Sequence, residues 1–158
     1  MGLTGRLPFA DSTIDAVYAS HVLEHLHLED GIRLLSECRR ILRRGDGVLR
    51  LVLPDTRRMA IEYLASEDPI AAERFNRELM FRPAVRARGL RRLYEALADF
   101  HSHKFMYDEA YLMRLLESEG FREAAACGFG QSRIPEIAEV EDPGRVLGGA
   151  GFIVEAVL

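Results

Sequence analysis

Two periods of apolar and polar residues alternate along the chain. Residues 14–19, Ile-Asp-Ala-Val-Tyr-Ala, are apolar on both faces apart from Asp15, the pattern of a strand buried between two layers. From Ile32 the spacing changes: Ile32, Leu35, Cys38, Ile41 and Leu42 recur with a helical period. Glu29 and Asp30 stand at the start of that helix and Arg39, Arg40, Arg43 and Arg44 at its end, each sign where the helix dipole favours it. Gly45 stops the helix, and Gly47 completes the turn into a second apolar run, residues 48–53. Strand, loop, helix, strand is the unit that sets neighbouring parallel strands side by side through a right-handed crossover. Ligands of such sheets sit beyond the carboxyl ends of the strands, which are residues 20–25 and 54–55 here.

The remainder predicts helices first and strands last. Asp55 or Thr56 caps a helix running to about Ala65. Asp68-Pro69 starts another, with proline at the first helical position, an apolar side of Ile70, Phe75, Leu79 and Met80, and a break at Pro83. A helical pattern resumes over residues 93–97, and residues 101–105 form an irregular polar and aromatic link. Asp108 caps an amphipathic helix carrying Tyr111, Leu112, Leu115 and Leu116, which Gly120 closes. Residues 121–129 and 151–157 read as strands. The connection between them, with Ser132-Arg133-Ile134-Pro135-Glu136 and Glu139-Val140-Glu141-Asp142-Pro143, is longer than ordinary loops and is expected to pack over a face or serve as a lid or partner contact. No internal repeat or low-complexity tract appears, so residues 1–158 are read as a single domain.

Composition narrows the function classes. At 158 residues the chain is long enough to bury about 68–70% of its unfolded surface. Its 48% apolar and 29% charged content is ordinary for a globular protein. A net charge of −4 argues against a general nucleic-acid binder, so no nucleic-acid partner is expected. No apolar run reaches the roughly 20 residues of a transmembrane span, and residues 1–6 do not read as a signal peptide. Cys38 and Cys127 read as two buried thiols of a cytoplasmic protein.

At this point the residues carry a family likeness. Leu7-Pro8-Phe9 with Asp11 and Asp15, followed by Val17-Tyr18-Ala19-Ser20-His21-Val22-Leu23-Glu24-His25-Leu26, resembles the middle of a class I S-adenosylmethionine-dependent methyltransferase of the type 11 group. Arg40-Ile41-Leu42-Arg43-Arg44-Gly45-Asp46-Gly47 is similar to that family's helix-ending turn. Gly120-Phe121 after the amphipathic helix matches its tail. The resemblance implies a three-layer, Rossmann-like α/β fold, N-terminally truncated, with a mostly parallel sheet and an antiparallel C-terminal strand. It also implies S-adenosylmethionine as cofactor and a small or lipid-linked methyl acceptor. The family's first strand and Gly-rich turn, and the acidic residue that holds the ribose, are not in this sequence. Two expectations follow: weakened cofactor binding, and an unpaired edge at strand 14–19 open to homodimerisation.

The candidate residues fall in two clusters. By the resemblance, Ser20, His21 and Val22 line the methionine end of the cofactor, and Glu24-His25 is the family's loop-organising pair. His21 or His25 can act as a general base near neutral pH, although an acidic nucleophile needs only proximity and alignment. The spacing of His21 and His25, with His27, also suits a metal. Without a nearby cysteine, capping or hydrogen-bonding histidines are the preferred reading, and no metal is expected. His103, Lys104 and Tyr107, with His101, form the second cluster, either over an acceptor pocket or as a solvated loop. Arg82, Arg86, Arg88, Arg91 and Arg92 suit a phosphate-bearing acceptor, a membrane surface, or a salt-bridged helix face beside Glu73, Glu78 and Glu95. A rival function is a catalytically inactive remnant serving as an interaction or dimerisation module.

Overall fold

The structure is a computed structural model that describes residues 5–80, 102–146 and 151–158. The arginine group at 82–92, the helical pattern at 93–97 and His101 lie outside the described residues. Four strands form one sheet: β1 (Ala16–Ser20), β2 (Val48–Pro54), β3 (Arg122–Ala126) and β4 (Gly151–Val157), in the order β1-β2-β4-β3. β1 runs parallel to β2, while β4 is antiparallel to both β2 and β3. Three strands therefore share one direction and the C-terminal strand opposes them, the mixed sheet that the family likeness implies.

Alternation along β2 divides the two faces. Leu49, Leu51 and Leu53 pair in register with Ala156, Val154 and Phe152 of β4 and enter the main core. Helix α1 (Leu28–Ile41) adds Leu34, Leu35 and Cys38 to this core, and the last helix, α4 (Glu109–Ser118), adds Leu112, Leu115 and Leu116. Each of these side chains is buried, and burial of a leucine contributes about 1.5–3 kcal/mol. Both helices thus cover the same face. Asp108 accepts a hydrogen bond from the Tyr111 N–H and caps α4. Gly120 turns the chain out of α4 at φ 86°, where a Cβ would stand 3.1 Å from the Arg39 guanidinium.

The opposite face carries Val48, Arg50 and Val52, matched across to Val157, Glu155 and Ile153. Arg50 is wholly buried there. Its Nε donates to Glu141 at 2.6 Å, its Nη1 to Glu155 at 3.1 Å and to the Gln131 carbonyl, and its Nη2 to the Gly128 carbonyl. Glu141 in turn accepts from the Gly130 N–H, and Glu155 from Ser132 Oγ and the Arg133 N–H. This network gives the long connection its place. It is a cover fixed to the sheet through charge, and it makes the third layer among the described residues. Burial alone would lower the Arg50 pKa, but the two carboxylates outweigh that and raise it.

Several boundaries differ from the sequence reading. β1 is displaced by about two residues, because Ile14 makes only an isolated bridge to Leu42 before regular pairing starts at Ala16. Pro69 lies in a turn closed by Asp68, and the helix α3 (Ala71–Leu79) begins after it. β3 ends at Ala126, short of residue 129, and within it a bulge between Arg122 and Ala125 with a left-handed Glu123 (φ 53°) interrupts the pairing. Cys38 is buried as expected, but Cys127 is only partly covered. Helix α2 (Thr56–Ala65) is capped by Asp55, whose carboxylate accepts from the Arg57 and Arg58 N–H groups. No helix among the described residues is long and apolar enough to cross a membrane.

Candidate functional site at the carboxyl edge of the sheet

β1 ends at Ser20, and His21 continues its pairing by donating its N–H to the Val52 carbonyl at 2.9 Å. His21 then takes a left-handed backbone, φ 54°, a conformation costing a non-glycine residue of order 1–3 kcal/mol. The reversal turns the chain into a short 3-10 turn, Leu23–His25, which buries Leu23 in the core and leaves Glu24 fully buried beside it.

Residues 102–107 fold back over this turn. The Lys104 and Phe105 N–H groups donate to the Glu24 carbonyl, at 2.6 and 3.3 Å. The Tyr107 carbonyl accepts from the Thr56 N–H, and the His103 N–H donates to the Met80 carbonyl at 2.9 Å. Tyr107 meets Asp55 in a parallel bridge next to the end of β2. The two clusters that lie far apart in sequence therefore become one site, roofed by a strap of backbone.

Inside it, polar atoms are buried in excess of their partners. Ser20 Oγ, His21 Nε2, both Glu24 carboxylate oxygens, Thr56 Oγ1, His103 Nδ1 and Tyr107 OH have no hydrogen-bond partner. Unmade bonds of this kind cost about 1–3 kcal/mol for neutral groups and more for charged ones. His21 Nδ1 approaches Glu24 Oε1 to 3.2 Å, yet that contact lacks hydrogen-bond alignment and leaves Oε2 untouched. His25 is tethered through its Nδ1, which donates to the Ser102 carbonyl at 3.4 Å, and its ring stands edge to face with His103 at 4.9 Å. Burial pushes the His103 pKa below the ordinary histidine value, although Glu24 opposes the shift. Burial, with Tyr111 and Glu24, pushes the Tyr107 phenol up to about 12, so that it stays a neutral donor.

Of the residues expected at a site, Ser20, His21, His25, His103 and Tyr107 come together here. Val22 packs against the core and Lys104 lies half-buried on the strap. His27 is exposed, outside the cluster. The sequence marks Thr56 only as a helix start, and Glu24 only as a loop organiser. The Glu24 carbonyl accepts the strap's N–H groups, while its carboxylate makes no hydrogen bond. A separate hollow of about 560 Å³ lies at the other end of the sheet, lined by Arg39, Arg40, Arg44 and Arg122.

Residues 2–50 match the family described as methyltransferase domain. Solved structures extend the likeness to almost the whole chain. A Thermotoga maritima SAM-dependent methyltransferase matches at 20% identity with a TM-score of 0.51, over 98% of this chain and 60% of its own. The Haloferax volcanii complex of the Trm112 methyltransferase activator with a methyltransferase matches at 14% identity and 0.52, over 99% and 59%. An O-methyltransferase family protein from Burkholderia thailandensis matches at 8% and 0.52, over 99% and 34%. The chain has the class I methyltransferase fold. No curated relative matches the sequence. The methyltransferase fold here spans three fifths or less of the length of each of these structures, and its carboxyl edge is where the unpaired polar atoms gather.

Proposed function

We propose that the protein transfers a methyl group from S-adenosylmethionine to a small or lipid-linked acceptor at the carboxyl edge of β1 and β2. The observation that carries this reading is the set of buried, unpartnered polar atoms at that edge of a methyltransferase-fold sheet. Ser20 Oγ and His21 Nε2 suit the charged methionine end of the cofactor, with Val22 beside them as apolar support. S-adenosylmethionine supplies a sulfonium methyl open to in-line displacement by the acceptor's nucleophile. The chain's own contribution is placement: the strap of residues 102–107 excludes water and holds the acceptor, through Tyr107 OH, His103 and Lys104. His21 is the better general base, since its Nε2 has no partner, whereas His25 is held by the Ser102 carbonyl. Where the acceptor is already acidic, alignment alone suffices.

The edge of β1 favours a second element of the reading. Among the described residues β1 pairs with β2 and no other strand, which makes its other side an open edge. A strand from a second copy, or from the part of the methyltransferase fold that the longer solved chains contain, completes the sheet there.

The test supplies methyl-labelled S-adenosylmethionine and a cell extract, then separates water-soluble small molecules, lipids and precipitated macromolecules. Label entering the small-molecule or lipid fraction only with active protein is expected. Label confined to macromolecules would overturn the acceptor class. Absence of transfer together with a stable dimer in sedimentation would favour the inactive interaction module.

A further inference from the structure

We propose that Glu24, His25 and His103 form a binding site for a divalent transition-metal ion, held by one carboxylate oxygen and two imidazole nitrogens. Their ligand atoms lie within 4.8 Å of one another. Ligand lengths of about 2.0–2.2 Å place neighbouring donors of one ion roughly 3–4 Å apart, so small side-chain rotations close the site.

Three observations support the assignment. First, two of the three donor residues, Glu24 and His103, are buried and unsatisfied, while His25 is half-buried. Glu24 is 0% exposed and His103 5% exposed, and neither Glu24 oxygen nor His103 Nδ1 has a partner. A carboxylate taken out of water without a cation costs several kcal/mol, and the His21 ring, misaligned and reaching only Oε1, does not remove that cost.

Second, the His25 imidazole is oriented as a metal ligand is. His25 Nδ1 donates to the Ser102 carbonyl, leaving Nε2 with a lone pair. His103 Nδ1 is buried with no partner, and its ring lies edge to face with His25 at 4.9 Å. A backbone carbonyl on the far nitrogen is the usual device that fixes the tautomer of a ligating histidine.

Third, the backbone already holds the two halves together. Lys104 and Phe105 donate to the Glu24 carbonyl and His103 to the Met80 carbonyl, so the ligands need little ordering on binding.

Two imidazoles with one carboxylate select zinc, iron, cobalt or manganese over calcium and magnesium. Three protein ligands leave coordination positions open. An acceptor oxygen entering there is a role that rests on the methyl-transfer reading, whereas metal binding itself does not.

The test strips the chain with chelator and titrates it with Zn²⁺ and with Co²⁺ by calorimetry, following Co²⁺ also by its visible absorption. No S-adenosylmethionine is present, so failure here leaves the methyl-transfer reading untouched. One ion per chain is expected, with a raised melting temperature and cobalt bands of a nitrogen–oxygen site. Glu24→Gln and His103→Gln should each weaken binding by more than the roughly 10–100-fold that lost supporting contacts cost. Glu24→Gln removes a buried charge, so its metal-free form should melt no lower than the wild type. His27→Gln should bind like the wild type. Absence of a stoichiometric ion would overturn the proposal. So would an affinity that Glu24→Gln and His103→Gln leave unchanged, or one that depends on His21 and His27 instead.

Discussion

Glu141→Ala tests how the long connection is fastened to the sheet. The Glu141 and Arg50 side chains are both 0% exposed and meet at 2.6 Å. Replacing Glu141 removes two charge-assisted hydrogen bonds, one from Arg50 Nε and one from the Gly130 N–H at 2.8 Å. At about 1.5–3 kcal/mol each, these amount to roughly 3–6 kcal/mol. The independent expectation for removing one partner of a buried pair is about 3–5 kcal/mol. Glu155 moderates the loss, because it still contacts Arg50 at 3.1 Å, so the lower half of the range, about 3–4 kcal/mol, is expected. Against a typical total stability of about 5–15 kcal/mol this is a large fraction. Urea denaturation followed by circular dichroism measures it, with limited proteolysis as a second readout, since residues 128–146 should be cut faster once the clamp is gone. Replacing Arg50, Glu141 and Glu155 together by apolar residues of similar volume should recover much of the stability. A Glu141→Ala change costing less than about 1 kcal/mol would refute the reasoning, as that is the worth of a solvated surface pair.

In the metal-free chain His103 has a pKa depressed below its unfolded value near 6.5, so the unfolded chain binds more protons below that pH. Stability should therefore rise with pH through the window just below 6.5 and fall on acidification, and His103→Gln should flatten that part of a melting-temperature profile. Cys38 is buried, with its thiol pushed up to about 11 by desolvation, whereas Cys127 is partly covered with only a long contact to the Ala125 carbonyl. A thiol reagent should label Cys127 under native conditions and reach Cys38 only on unfolding. Asp108→Ala removes the N-cap of α4 and should cost about 1 kcal/mol in denaturant titration without moving the cysteine reactivities.

The β1–α1–β2 unit was legible because its signals are local. Helical spacing in α1, terminal charges of the right sign and Gly45 all lie within one window, and the apolar run of β2 follows directly. Asp55 and Asp108 were legible as caps for the same reason. The strand reading over residues 121–129 runs past Ala126, and the bulge with its left-handed Glu123 inside that strand has no sequence signal as strong as glycine. The Arg50 network was illegible because its partners, Glu141 and Glu155, lie 91 and 105 positions away. A charged residue in a strand reads as a solvated position until the fold supplies its counter-ions. The site shows the same division. Ser20, His21 and His25 are expected at a site from the end of a strand and a family likeness. The union of Glu24 and His25 with His103 depends on the strap of residues 102–107 folding back, which no period records. Pairing His21 with His25 assumed a continuous helix, and the left-handed backbone at His21 breaks it.

Calorimetric titration with S-adenosylmethionine, wild type against Ser20→Trp, bears most directly on the assignment of the carboxyl edge. Ser20 Oγ is buried without a partner at the end of β1, and an indole there fills the space assigned to the methionine end of the cofactor. Binding by the wild type that Ser20→Trp weakens by at least about tenfold, roughly 1.4 kcal/mol, is expected. Equal affinities in the two proteins would place the cofactor elsewhere and contradict the reading of this edge as the methyl-transfer site.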